Sequence, residues 1–271
     1  MTQHFMQSTL QGFTRALSKA LLSEQVANER GLLQQLDPRV RLAGILALVV
    51  SVVLCRRLEI VAALFMLAVA IAVASRVSLL SLGKRVWIVV LAFTGFIALP
   101  ALFTTPGETI VSLPVTHLSI TAQGLRTALL LILRVETAAT LTTVLVLSAP
   151  WNHTLKALRS FHLPAEVVTM LAMTHRYVFL LLETANQMFE SRQSRTAGVL
   201  TGAENRRVTA RSAGVLLSKS MELSHEVYLA MLSRGFRGEV QLLTDFKMRM
   251  RDYAGLTAFL CVACLAAWIG R

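Results

Sequence analysis

Acidic residues are scarce in this 271-residue chain: 15 Asp and Glu stand against 27 Lys and Arg. Charged residues of both signs make up only 15% of it, while apolar ones make up 55%. That balance excludes disorder and collagen and argues against an ordinary soluble enzyme, whose single core would not hold so much apolar side chain. Cysteine is nearly absent as well. Cys55, Cys261 and Cys264 are odd in number and all lie inside apolar runs, so they support no disulfide framework. Cys261 and Cys264, one helical turn apart, read as small packing residues rather than soft-metal ligands. The six histidines, His4, His117, His153, His162, His175 and His225, show no metal-ligand spacing and read as structural or surface residues.

Motifs for catalysis are missing too. No Gly-x-x-x-x-Gly-Lys-Ser/Thr run occurs; Gly83-Lys84-Arg85 is the nearest fragment and lacks the earlier glycine and the hydroxyl. The chain therefore has no P-loop to cradle ATP. His225-Glu226 opens like a zinc-protease helix, but Leu229 stands where the second histidine would be. No nucleophile, base and ligand cluster suggests an intramembrane hydrolase. What the chain does have is a formal charge of +12 beside long apolar runs, the signature of a membrane protein with basic cytoplasmic surfaces rather than of a nucleic-acid binder.

Five stretches approach the roughly 20 apolar residues that a bilayer-spanning helix needs: about Leu42 to Cys55, Leu58 to Ala74, Val86 to Phe103, Leu125 to Leu147 and Ala254 to Gly270. Arg56 and Arg57 mark a turn between the first two, since two arginines at mid-membrane are costly. Gly95 and Pro100 permit a bend in the third. Arg15, Lys19, Arg30, Arg39 and Arg41 precede the first span, and Arg76, Lys84 and Arg85 separate the second from the third. Between Phe103 and Leu125 there is no basic residue, whereas Trp151 to Arg251 holds 14 basic residues against eight acidic ones. The amino terminus and the long fourth loop are thus expected inside and the carboxyl terminus outside, with Arg56 and Arg57 snorkelling to a headgroup layer. The expected class is all-α and polytopic. Its divisions are an amphipathic segment at 1–35, spans one to four at 36–150, cytoplasmic helices at 151–253 and the last span at 254–271. Leu10, Phe13, Leu17, Leu21 and Leu22 give the first segment its helical stripe. Residues 104–121 alternate in a way that predicts a small hairpin.

The insert between spans four and five reads as three helices. A short one follows Trp151 and stops near His162; a long one starts at Pro164 and ends about Arg195; the third runs from about Asn205 to Leu232 and stops at Gly235. In the third, Leu216, Leu223, Val227 and Met231 form a stripe that needs a partner surface. Met170, Met173, Met188, Met221 and Met231 suit either core filling or adaptable contact with a moving partner. Both long helices close on an arginine between small residues: Ser194-Arg195-Thr196 and Ser233-Arg234-Gly235. A cation there meets the negative end of the helix dipole. A guanidinium with small neighbours also suits close docking onto carboxylates or helix-end carbonyls of another protein. Arg134 and Glu136 fall near the middle of the fourth span, where they must face protein or water and, two positions apart, do not pair. Arg134 is expected to orient a partner or satisfy helix-end carbonyls near Pro100.

Leu36-Asp37-Pro38-Arg39-Val40-Arg41-Leu42, Leu163-Pro164, Arg176-Tyr177 with Glu183 and the two arginine triplets resemble the transmembrane coupling (T) component of energy-coupling-factor importers, most closely the cobalt type called CbiQ. The likeness covers about Leu36 to Gly238. Ala230-Met231-Leu232-Ser233-Arg234-Gly235-Phe236 is its most specific part, close to the family's Ala-Met-x-Ala-Arg-Gly-aromatic pattern. Serine replaces the usual alanine in both triplets and Thr196 the usual glycine in the first, for which Ser191-Arg192-Gln193 is an alternative frame. The resemblance implies a noncatalytic scaffold in the bacterial cytoplasmic membrane, joining two ATP-binding cassette subunits to a CbiM-like substrate-capturing membrane subunit, with a small CbiN-like accessory subunit. The triplet arginines would dock on the ATPases. ATP would sit in those partners, no metal or cofactor on this chain, and no nucleic acid would be bound. Cobalt is the implied cargo; nickel or a vitamin such as biotin are the alternatives. A conventional ABC permease and a secondary transporter are the rival readings, the latter with only Arg134 and Glu136 in its favour.

Overall fold

The computed structural model describes residues 31, 33–77, 79–104, 109–112, 119–161, 163–195, 201–236 and 249–271. The amphipathic helix expected over 1–35 therefore lies almost wholly outside the described residues, as do His4, His117, His162 and Thr196. The elements in chain order are α1 (Pro38–Leu54), α2 (Leu58–Ala74), a short α3 (Leu79–Leu82), a π-helical turn (Gly83–Trp87) and α4 (Ile88–Thr104). Then come β1 (Thr109–Ser112), β2 (Ser119–Thr121), α5 (Ala122–Ser148), α6 (Trp151–Ser160), α7 (Ala165–Arg195), α8 (Gly202–Ser233) and α9 (Met250–Gly270). The chain divides into two compact units, one of Glu24–Ala157 with Phe246–Arg271, the other of Leu158–Asp245 with Met1–Ser23.

In the first unit the helices start and stop where local chemistry directs. Asp37 caps α1 by accepting from the Arg39 N–H at 2.9 Å, with Pro38 pre-set for the first turn. The Thr121 hydroxyl caps α5 by accepting from the Gly124 N–H at 3.0 Å. α4 continues through Pro100, and the expected hairpin forms, with Thr109 opposite Thr121 and Ser112 opposite Ser119. Glycines bring α9 close along α1: Gly44 faces the Phe259 ring, and Gly270 faces the Cys55 thiol. The Ser51 hydroxyl and the Cys55 thiol donate to the Ala263 and Ala266 carbonyls, at 2.9 and 3.2 Å. These contacts run in the same order along both helices, so α1 and α9 are parallel. Trp87 ties the π-helical turn to α5 through a 3.1 Å hydrogen bond from Nε1 to the Thr140 hydroxyl. Its ring lies 5.8 Å from that of Phe65 on α2.

By length and apolarity α5, α7 and α9 are each able to cross a bilayer, while α2 and α4 are shorter apolar helices. Large apolar side chains such as Phe93, Phe96, Met66 and Trp268 stand exposed on this unit, at 67–81% of their full accessibility. Water would not tolerate such a surface, and lipid would. α7, read from the sequence as a cytoplasmic helix, meets that length-and-composition standard too, although it carries Arg176 and Glu183 within its middle. Cys261 and Cys264 also depart from expectation, being exposed on α9 rather than packed inside.

The second unit holds α7 and α8, of 31 and 32 residues, each about 45 Å long. α8 begins three residues earlier than expected because Thr201 and Glu204 form a reciprocal cap. The Glu204 N–H donates to the Thr201 hydroxyl, and the Thr201 N–H donates to the Glu204 carboxylate at 2.9 Å.

Candidate functional site

The two arginine-ended helices close differently. α8 ends in a complete Schellman motif: the Phe236 N–H donates to the Met231 carbonyl at 3.0 Å and the Gly235 N–H to that of Leu232 at 2.9 Å. The motif requires a left-handed residue after the cap, and Gly235 supplies it at φ +79°. Arg234 is the cap residue itself, exposed, and the Ser233 hydroxyl folds back on the Ala230 carbonyl at 3.0 Å. Arg195 is the last residue of α7, also exposed, preceded by Ser194 with its hydroxyl on the Ser191 carbonyl at 2.9 Å. Arg192, centre of the alternative frame, is half-buried and has a partner.

These ends cannot share one binding point. Six Cα-to-Cα steps lead from Arg195 to Thr201 and reach at most about 21 Å, while α8 carries Arg234 about 48 Å from its start. The Cα atoms of Arg195 and Arg234 are therefore at least about 25 Å apart. Between them the rods cross along a cleft of about 340 Å³. The α8 stripe of Leu223, Val227 and Met231 meets Met173, Tyr177 and Leu181 of α7 there, which supplies the partner surface the periodicity demanded. The predicted stripe residues are half-buried, but Met170, Leu217, Met221 and Tyr228 stay exposed at 55–69%. Arg176 and Glu183 are exposed as well. His175 packs edge-on to Phe179 at 5.0 Å.

In the membrane unit, side chains that pattern alone could not place prove to be helix-end clamps. Arg41, counted in the sequence among the basic residues ahead of the first span, is 2% exposed. It donates to the Leu33 carbonyl at 3.3 Å and to the Ser148 carbonyl, the end of α5, at 2.8 Å. Arg134 does the converse, donating from α5 to the Cys55 carbonyl at the end of α1. It satisfies helix-end carbonyls as expected, but those of α1 rather than any near Pro100. α1 and α5 thus run antiparallel, each clamping the other's negative dipole end. Asp252, at the start of α9, accepts from the Asp37 N–H at 2.9 Å and the Arg249 N–H at 2.8 Å, so one carboxylate serves the starts of both α1 and α9. Glu136 is 5% exposed, and neither carboxylate oxygen has a hydrogen-bond partner among the described residues; it does not pair with Arg134. No group of three or more His, Cys, Asp or Glu is arranged to hold a metal among the described residues.

Comparison with known proteins agrees with the geometry of a membrane transport component. A sequence model of the family described as CbiQ, cobalt transport protein, matches residues 29–244. An uncharacterised protein of Methanocaldococcus jannaschii is 28% identical over the whole of this chain and 94% of its own length. The cobalt transport protein CbiQ of Rhodobacter capsulatus is 26% identical over 63% of this chain and 70% of its own. The family match takes in both the clamped helix bundle, up to but not including α9, and the two arginine-ended rods, and so this chain belongs to the CbiQ family of cobalt transport proteins.

Proposed function

We propose that this chain is the noncatalytic coupling subunit of an ATP-driven cobalt importer of the energy-coupling-factor type. Two ATP-binding cassette subunits dock on the ends marked by Ser194, Arg195 and Thr196 and by Ser233, Arg234 and Gly235. A separate CbiM-like membrane subunit, with a small CbiN-like companion, captures the ion, and this chain holds that subunit in the cytoplasmic membrane with its own amino terminus inside. The observation that carries the reading is the pair of long rods closing on exposed arginines too far apart for a single partner groove. A guanidinium at a helix end presents five donors in a fixed plane, suited to carboxylates or carbonyls on an engine that must grip without slipping. The exposed Met and Leu surface along the rods suits a partner that shifts position. Because the sequence carries no P-loop, ATP binds in the partners and reaches this chain only as movement.

The test is the double variant Arg195→Glu with Arg234→Glu, expressed with its partners. Membrane insertion is expected to be unchanged, co-purification of the ATPases lost, and ATP-dependent cobalt uptake reduced to background. Normal assembly and uptake would overturn the docking assignment. Equilibrium dialysis of the purified chain against cobalt is expected to show no binding, whereas a permease with its own substrate path would bind the ion.

A further inference from the structure

A cleft of about 660 Å³ opens in the membrane unit between α2 and α9, within the size range of small-molecule sites. Its lining changes character along its length. At one end lie Arg249 and Arg251, both exposed, with Ser75 at the close of α2; at the other lie Leu67, Ala258 and Val262. From Arg249 to Val262 is thirteen residues, or about 20 Å of helix, a little more than one leaflet of a hydrocarbon core about 30 Å thick. The cleft is therefore polar and cationic at one end and oily from Gly255 to Val262, about 10 Å or two-thirds of a leaflet. Asp252, the acid on its wall, is 5% exposed and turns its oxygens to the Asp37 and Arg249 N–H groups, while the side chains of the two arginines are exposed.

We infer that this cleft is a binding site for one anionic phospholipid, its tail between α2 and α9 and its headgroup phosphate on Arg249 and Arg251. Basic side chains at the rim of an interhelical groove select anionic headgroups over zwitterionic ones, and a guanidinium holds a phosphate through paired hydrogen bonds. A soluble anion would use the arginines alone and leave the apolar length empty. A lipid uses both.

The experiment is native mass spectrometry of the full chain in detergent, titrated with phosphatidylglycerol or with phosphatidylcholine of the same tails. One saturable phosphatidylglycerol is expected, bound at least about tenfold more tightly than phosphatidylcholine and not displaced by millimolar inorganic phosphate. Arg249→Gln with Arg251→Gln is expected to erase the preference while the fold stays intact by circular dichroism. Ala258→Phe, which fills the oily length, is expected to remove the bound lipid with both arginines present. Equal binding of the two lipids, or a preference that survives the arginine substitutions, would overturn the site in favour of unspecific annular lipid. Saturable binding seen only after deletion of residues 1–30 would overturn it too, since the chain's own amino-terminal segment would then be the occupant.

Discussion

Arg41 and Arg134 sit fourteen residues from Cys55 and Ser148 respectively on their own helices, and each reaches across to the other helix's last carbonyls. A hydrogen bond from a charged donor is worth about 1.5–3 kcal/mol, and in a bilayer the abandoned carbonyl finds no water. Arg134→Leu is therefore expected to lower the stability of the bundle by about 2 kcal/mol. Arg41 and Arg134 stand about 20 Å apart along the pair, so Arg41→Leu should add to it without coupling. Thermal unfolding of the single and double variants in nanodiscs checks both statements. A second residue-scale prediction comes from Arg76. α2 closes with the same motif as α8: the Arg76 N–H donates to Val73 and the Val77 N–H to Ala72. Yet the left-handed position, φ +55°, is filled by arginine rather than glycine. A side chain there is strained by about 1–2 kcal/mol, part of which glycine returns in lost unfolded-state order. Arg76→Gly is expected to raise the melting temperature by about 2 °C, read in the same nanodisc assay.

Among the elements, α8 depends most visibly on its own cap. The Glu204 carboxylate accepts from the Thr201 backbone N–H and hydroxyl, and these bonds hold its pKa below the usual carboxylate range. A native pKa below the unfolded one contributes helix-start stability that is complete above about pH 5 and is lost as the pH falls through the native value. Hydrogen exchange at the first turn of α8, corrected for intrinsic rates, should show protection that fades as the pH falls below the ordinary carboxylate range. The step should be absent in Glu204→Gln. The cap is legible in the sequence as Thr201-Gly202-Ala203-Glu204, three residues ahead of the start that apolar periodicity alone gives at about Asn205. Much else at this scale was open to sequence reasoning. The Leu223, Val227 and Met231 stripe, the break at Leu163-Pro164, the hairpin after α4 and the stop at Gly235 all follow from periodicity and turn chemistry acting within a few residues. The clamps did not, because Asp252 and Asp37 are 215 residues apart and Arg41 and Ser148 are 107 apart; no local pattern distinguishes such an arginine from a loop charge.

At the scale of the whole molecule, one unit is braced and the other sparsely joined. α1, α5 and α9 are held to one another by buried clamps and by glycine-mediated contact. α7 and α8 line a short cleft, and much of their apolar surface stays exposed. If the rods carry a stroke from two ATPases by changing their mutual angle, the cleft lined by Tyr177 and Leu223 must change with it. Joining the rods there should block transport without disturbing assembly. The experiment replaces Cys55, Cys261 and Cys264 with serine, adds Tyr177→Cys and Leu223→Cys, and closes the pair with a cleavable bifunctional thiol reagent in the assembled complex. The expected result is intact co-purification with both ATPases, continued ATP hydrolysis and loss of cobalt uptake that returns on cleavage of the link. Uptake that survives complete cross-linking would mean the rods move as one body, and the flexing joint would then have to be sought where they meet their partners.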